Sequence, residues 1–280
     1  MTVDVEDYFH VAALAKSIDP ADWHTLEYRV EANTRRLLEL FAAAGVTATF
    51  FVLGWVARRS PALVREIQSA GHEIASHGMS HKLVYNQTPA EFASETRDAK
   101  ALLEDICGRR VEGYRASTYS ITSRSLWALD TLCELGFDYD SSIFPIAHVD
   151  YGIPGASQSP GMLRAPGGAK IVEFPMTTAR FAGLRVPVSG GGYFRLLPYW
   201  MTRAGLRQVN QQESRPFVFY LHHWEIDPDQ PRVRASALST FRHYNNLHRC
   251  EGRLRRLVGD FRFAPMRQVL SDLSLLPCAA

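Results

Sequence analysis

The chain has 280 residues, 46% of them hydrophobic, and a formal net charge of +2. That is enough apolar material for one large α/β domain with or without a small appendage, and the near-balanced charge excludes an obvious nucleic-acid footprint. The late arginines Arg249, Arg253, Arg255 and Arg256 read as a solvated helix face rather than a phosphate patch.

Cys107, Cys133, Cys250 and Cys278 are far apart and form no CxxC pair, so neither a disulfide framework nor a thiolate metal site is expected, and a reducing compartment fits. No stretch reaches the length of a membrane span. The chain opens on an acidic motif rather than a basic region followed by an apolar run, which predicts a cytoplasmic protein, with the inner membrane face as an alternative.

In chain order, Thr2–Val5 is the first predicted strand. Leu37, Leu38 and Phe41 mark a helix that stops at Gly45, and Thr47–Leu53 (TATFFVL) is a buried strand. Ser60 and Pro61 open a helix as N-cap and N1, and Gly71 closes it. His72–Ser76 is the next strand. Thr88, Pro89 and Glu91 form the start of a long helix with a capping box. Ser123–Leu135 is predicted helical, Tyr151–Gly168 and Gly190–Gly192 are predicted to be long loops over the functional face, and Phe217–Leu221 (FVFYL) is a late strand. Strands alternating with helices predict parallel βαβ units closing into a barrel over residues 1–226, with a helical C-terminal extension over 227–280 packed on it.

Such folds carry reactive side chains at the C-terminal ends of strands. Asp4–Asp7, His77–His81, Arg115, Asp138–Asp140 and His222 each follow a predicted strand. His77 and His81 are four residues apart, so both imidazoles can face one point. Two imidazoles and one carboxylate leave a coordination position open, the arrangement of a metal that activates water. Alternation along the first strand places Asp4 and Glu6 on one face and Asp7 on the other.

Five segments occur in order: TVDVEDYF at 2–9, HGMSH at 77–81, YRA at 114–116, YDSSIFP at 139–145 and LHHWEIDP at 221–228. In these the chain resembles the polysaccharide deacetylases of the NodB-homology type (carbohydrate esterase family 4). More closely, it resembles the subgroup encoded beside exosortase and exopolysaccharide genes, which carries a further C-terminal region. The resemblance implies a distorted (β/α) barrel and a divalent metal, Zn2+ first among the candidates, on His77, His81 and, by analogy with deacetylases that carry D-x-D, Glu6, with Asp7 as the fallback. It implies Asp4 as the base, Arg115 as the group that orients Asp4, and His222 as the acid that protonates the leaving amine. His223 competes with His222 for that role. Asp140 is the expected partner of His222, with Asp138 as competitor. A backbone N–H near Tyr119 is expected to hold the oxyanion, and Trp224 either stacks on a sugar face or belongs to the core.

The implied activity is removal of N-acetyl groups from amino sugars of an exopolysaccharide or its lipid-linked precursor, with peripheral contact to the lipid-linked saccharide. A cyclic amidase, an O-acetyl esterase and a non-catalytic carbohydrate-binding protein are the alternatives. The oligomeric state is not legible in the residues.

Overall fold

Short apolar strands and amphipathic helices alternate along the chain in this computed structural model, which describes residues 1–277. Cys278 lies outside the described residues. The strands are β1 (Thr2–Val5), β2 (Thr49–Val52), β3 (Glu73–Ser76), β4 (Gly113–Tyr114), β5 (Tyr139–Asp140), β6 (Gly161–Arg164), β7 (Lys170–Glu173), β8 (Thr178–Phe181), β9 (Leu184–Pro187) and β10 (Tyr220–His222). Eight of them form one sheet in the order β10-β1-β2-β3-β4-β5-β7-β6, parallel except for the antiparallel β6. The strands β8 and β9 form a separate hairpin.

Among the described residues no ladder joins β10 to β6, so the sheet is a curled half-barrel rather than a closed ring. The curl is strong. In a flat sheet β1 and β4 would lie about 14 Å apart, yet Arg115, one residue past β4, reaches Asp4 on β1 at 2.7 Å.

The central strands are buried because both faces are covered, by helices outside and by side chains inside. Their register brings the C-terminal ends level. Asp4 pairs with His222, Val52 with Ser76, Ser76 with Tyr114, Tyr114 with Asp140, and Asp140 with Glu173. One rim of the half-barrel therefore collects the polar residues that end the strands.

Several local expectations are corrected. Ser60 precedes the helix Pro61–Ser69, but its hydroxyl donates to Glu31 at 2.7 Å instead of capping. The helix expected from Ser123 starts at Ala128, because Ser125 Oγ accepts from the Thr122 N–H and donates to the Ser120 carbonyl, competing with helical pairing. The Tyr151–Gly168 segment contains β6. Gly190–Gly192 is no open loop: it leads into the short helix Gly191–Leu196 and lies against β10. A Cβ on Gly190, at φ +124°, would sit 1.9 Å from the Tyr220 carbonyl oxygen, so only glycine allows this approach.

Residues after 227 form the helices Ala237–Tyr244, Leu247–Asp260 and Met266–Asp272. The middle one feeds Cys250, Leu254 and Leu257 into the main core. The last lies under the strand starts, where the Met266 and Arg267 N–H groups donate to Thr49 and Glu73. Arg249, Arg255 and Arg256 are exposed as expected. Arg253 differs: its Nη1 donates to the carbonyls of Phe194, Arg195 and Leu197, closing the C-terminal end of the helix Gly191–Leu196.

Candidate active site

Glu6 follows β1, His77 follows β3, and His81 ends the tight loop after it in a left-handed conformation at φ +55°. One ligand atom from each of the three residues lies within 4.8 Å of the others. His77 Nε2 is 3.6 Å from Glu6 Oε2, and His81 Nε2 contacts the same oxygen. His77 Nδ1 donates to the Arg115 carbonyl at 2.8 Å. A carbonyl only accepts, so the proton sits on Nδ1 and the Nε2 lone pair faces the cluster.

Glu6 Oε2 is buried without a hydrogen-bond donor. Burial would push the Glu6 carboxyl up, but His81, His222 and His77 hold it well below the usual carboxylate range. A buried carboxylate oxygen without a hydrogen-bond donor, faced by the Nε2 atoms of two imidazoles, is a donor set that fits a divalent cation. Asp7, the alternative ligand, is outside the cluster. Its carboxylate accepts from the backbone N–H groups of Tyr8 and Arg29 at 2.9 and 2.8 Å, and burial pushes it up to about 7.

Asp4 and Arg115 stand next to this cluster, both buried. Arg115 Nη1 donates to Asp4 Oδ1 at 2.7 Å and to Thr2 Oγ1 at 2.8 Å. Its Nε and Nη2 reach the carbonyl and hydroxyl of Ser141, and the guanidinium lies 4.1 Å from the Phe51 ring centroid. Every edge of the fork is engaged, which fixes the carboxylate of Asp4 in one orientation.

His222 completes the rim, with Nε2 3.3 Å from Glu6 Oε1. The competing His223 is fully buried, neither ring nitrogen has a partner, and burial pushes its imidazole down to about 3. His222 is the histidine that reaches the cluster.

Three expected roles change. The partner of His222 is Glu225, whose Oε1 is 2.9 Å from His222 Nδ1, not Asp140 or Asp138. Asp140 is in register with Glu173 on β7 and bonds to it and to Ser142, while Asp138 pairs with Arg110. Five strand spacings separate β5 from β10, whereas Glu225 lies in the turn directly after His222. Trp224 cannot stack on a sugar: it is buried, with His222 on one face at 4.8 Å and His243 on the other at 4.4 Å. The Tyr119 N–H is not free for an oxyanion, because it donates to the Ala116 carbonyl at 3.0 Å, and the buried side chain packs against Phe144 and Tyr220.

Glu225 had a readable signal, the His-x-x-Glu spacing of a capping box, which the turn after β10 forms. Ser141 and Glu173 had none, since only strand register and the curl bring them to Arg115 and Asp140.

Residues 19–138 match the family model of polysaccharide deacetylases, and residues 141–271 match a domain of unknown function, DUF3473. The first match includes His77, His81 and Arg115; Asp4 and Glu6 precede it, and His222 falls in the second. The chain is 30% identical over 99 residues to a chitooligosaccharide deacetylase of Bradyrhizobium sp., covering 35% of this chain and 43% of that protein. It is 32% identical over 71 residues to a peptidoglycan-N-acetylglucosamine deacetylase of Bacillus cereus, covering 25% of this chain and 33% of that protein. These matches span less than half of either relative. A Mycobacterium smegmatis crystal structure assigned as a polysaccharide deacetylase superposes with a TM-score of 0.66 at 20% identity, covering 100% of this chain and 92% of that one, which shows the common fold. Residues 19–138 therefore match a polysaccharide deacetylase domain, and the curled parallel sheet is the fold of the solved structure assigned to that class.

Proposed function

We propose that this protein removes N-acetyl groups from amino sugars of an exopolysaccharide or its lipid-linked precursor, in a reaction that depends on a divalent metal. The observation that carries the reading is the meeting of Glu6, His77 and His81 beside the Asp4–Arg115 pair on one rim of the sheet. Zinc is the metal of choice for two imidazoles and a carboxylate; held there, it would polarise the acyl oxygen and make water more acidic.

The chain's own groups divide the proton chemistry. Asp4, oriented by its hydrogen bond from Arg115, takes the proton of the attacking water. His222, paired with Asp4 on the neighbouring strand and with Nε2 3.3 Å from Glu6 Oε1, gives a proton to the leaving nitrogen. Hydrolysis of an acetamide needs both, because an amide nitrogen leaves only once protonated.

The two curated relatives are named for acting on chitooligosaccharide and on peptidoglycan N-acetylglucosamine, which supports an N-acetylated saccharide as substrate class. The exosortase-associated subgroup accounts for the acidic TVDVEDYF opening and for the second matched segment. Residues 227–280 act in this reading as an extension packed on the barrel of residues 1–226. Among the described residues no helix is long and apolar enough to cross a membrane, so access to a lipid-linked saccharide would be peripheral.

The test is metal content and acetate release from N-acetylglucosamine oligomers, for the wild type and a His77→Ala/His81→Ala variant. One metal per chain with acetate release, both lost in the variant, is the expected result. Absence of metal from reconstituted wild type would overturn the reading and favour a metal-independent amidase.

A further inference from the structure

The turn after β10 holds a buried ion pair for which the proton chemistry above has no use. Glu225 and Arg195 are both buried, and Arg195 Nε donates to Glu225 Oε2 at 2.6 Å. The other carboxylate oxygen, Oε1, accepts from His222 twice, from the backbone N–H at 3.0 Å and from ring Nδ1 at 2.9 Å.

Resting on the reading of His222 as the acid, we propose that Glu225 and Arg195 are its positioning residues: they hold the proton on Nδ1 and aim Nε2 at the reacting centre.

The geometry leaves the ring little freedom. Arg195 cannot swing away, because Nη1 donates to the carbonyls of His243 and Asn245 at 2.7 and 2.9 Å, and Nη2 to that of Arg242 at 3.1 Å. These carbonyls close the helix Ala237–Tyr244, where unpaired acceptors and the helix dipole favour a cation. Arg195 in turn stands on the helix Gly191–Leu196, which Gly190 and Gly191 seat directly against Tyr220 of β10. The remaining freedom of His222, rotation of its ring, is limited by Trp224, stacked between it and His243 with interplanar angles of 19° and 25°.

A packing role alone would not call for this arrangement. Enclosing a carboxylate and a guanidinium costs desolvation that an apolar pair of the same size avoids. Here the charge is delivered to one atom, Nδ1 of a histidine whose other nitrogen faces the metal-binding carboxylate. An imidazole needs such a partner to keep its other proton fixed on Nδ1, so that the proton it gives up and regains is the one on Nε2. The residues that supply the grip, Arg195 and 242–245, lie in the segment matched only as a domain of unknown function, and the inference gives that segment a chemical task.

The experiment uses full-length protein carrying 15N-labelled histidine, with the His222 signals identified by their loss in His222→Gln. In the wild type, a proton on Nδ1 is expected. Glu225→Gln keeps the size of the side chain; its oxygen accepts from Arg195 and its amide N–H turns toward His222, so Nδ1 loses its proton and the Nδ1 shift moves to the unprotonated range. With the tautomer lost, kcat for acetate release should fall about 100-fold, while KM stays within about 3-fold and metal content is unchanged. Arg195→Lys, which keeps the charge but not the fork, should lower kcat in the same direction. A wild-type His222 without a proton on Nδ1 overturns the proposal even if the variants fail to fold, and so does Glu225→Gln with wild-type tautomer and kcat. A protein that releases no acetate but shows the tautomer shift would sink the deacetylase reading and leave the positioning of His222 standing.

Discussion

Arg115 Nη1 lies 2.7 Å from Asp4 Oδ1, although two strands separate the elements that carry them and neither side chain reaches solvent. The pair exists only because the sheet curls. Arg115→Met would leave the Asp4 carboxyl without its partner in the interior, which should cost about 3–5 kcal/mol of stability and abolish acetate release. Urea unfolding measures the first and an acetate assay the second. A loss below about 1 kcal/mol would mean that Asp4 does not depend on this guanidinium.

Asp140 and Glu173 give the protein a distinctive pH dependence. Burial pushes Asp140 up to about 6, and burial together with the charge of Asp140 pushes Glu173 well above the usual carboxylate range. Glu173 Oε2 has no donor, so the carboxyl is best satisfied by keeping its own proton and donating to Asp140. The folded state then holds protons that the unfolded chain has released, and stability falls as pH rises from the ordinary carboxylate range through about 6 and beyond. Glu173→Gln keeps a donor and does not titrate. The unfolding free energy of the wild type relative to this variant should drop by at least about 1.4 kcal/mol, one pKa unit, between about pH 4 and about pH 8. A pH-independent difference would show that the two carboxyls do not share a proton.

Metal should stabilise the fold as well as serve the reaction. With free zinc at about 100 times its Kd, mass action predicts about 2.7 kcal/mol of added stability. Thermal unfolding with and without a chelator reads this directly. The shift should vanish in Glu6→Gln, which keeps the shape but removes the charged oxygen that the two histidines face.

Gly190→Ala tests the seat of the Arg195 helix. The added methyl meets the Tyr220 carbonyl at 1.9 Å in a backbone conformation that disfavours a side chain. Strain and displacement together should cost roughly 2–5 kcal/mol, read as a lowered denaturation midpoint. A near-neutral variant would show that the helix can withdraw from β10.

The capping box of the helix Pro89–Cys107 offers a control far from the rim. Thr88 Oγ1 accepts from the Glu91 N–H, and Glu91 returns the bond to Thr88. Thr88→Ala should cost about 1 kcal/mol in chemical unfolding and leave acetate release intact.

Much of the rim was legible because its chemistry sits in short local patterns. Alternation put Glu6 rather than Asp7 beside Asp4, and HxxxH brought two imidazoles to one oxygen. The long helices followed from caps and periodicity, down to the Thr88–Glu91 box. What escaped depends on distance in the chain. Whether Asp140 meets Glu173 or His222 is decided by strand order and register, and Arg195 is brought to Glu225 by a glycine contact with β10 and by a helix end some 47–50 residues later. Trp224 was ambiguous for a related reason: its neighbour His243 belongs to a segment with no readable link to the rim.

Arg195 is gripped by three backbone carbonyls rather than by three side chains. Such a grip constrains the path of the chain and not its alphabet. In a library that randomises these positions, 195 should accept almost nothing but arginine, while 242 and 245 should accept many residues that let the helix end where it does. A stretch of this kind can drift in sequence until its origin is hard to recognise and still present the same three acceptors to the same cation.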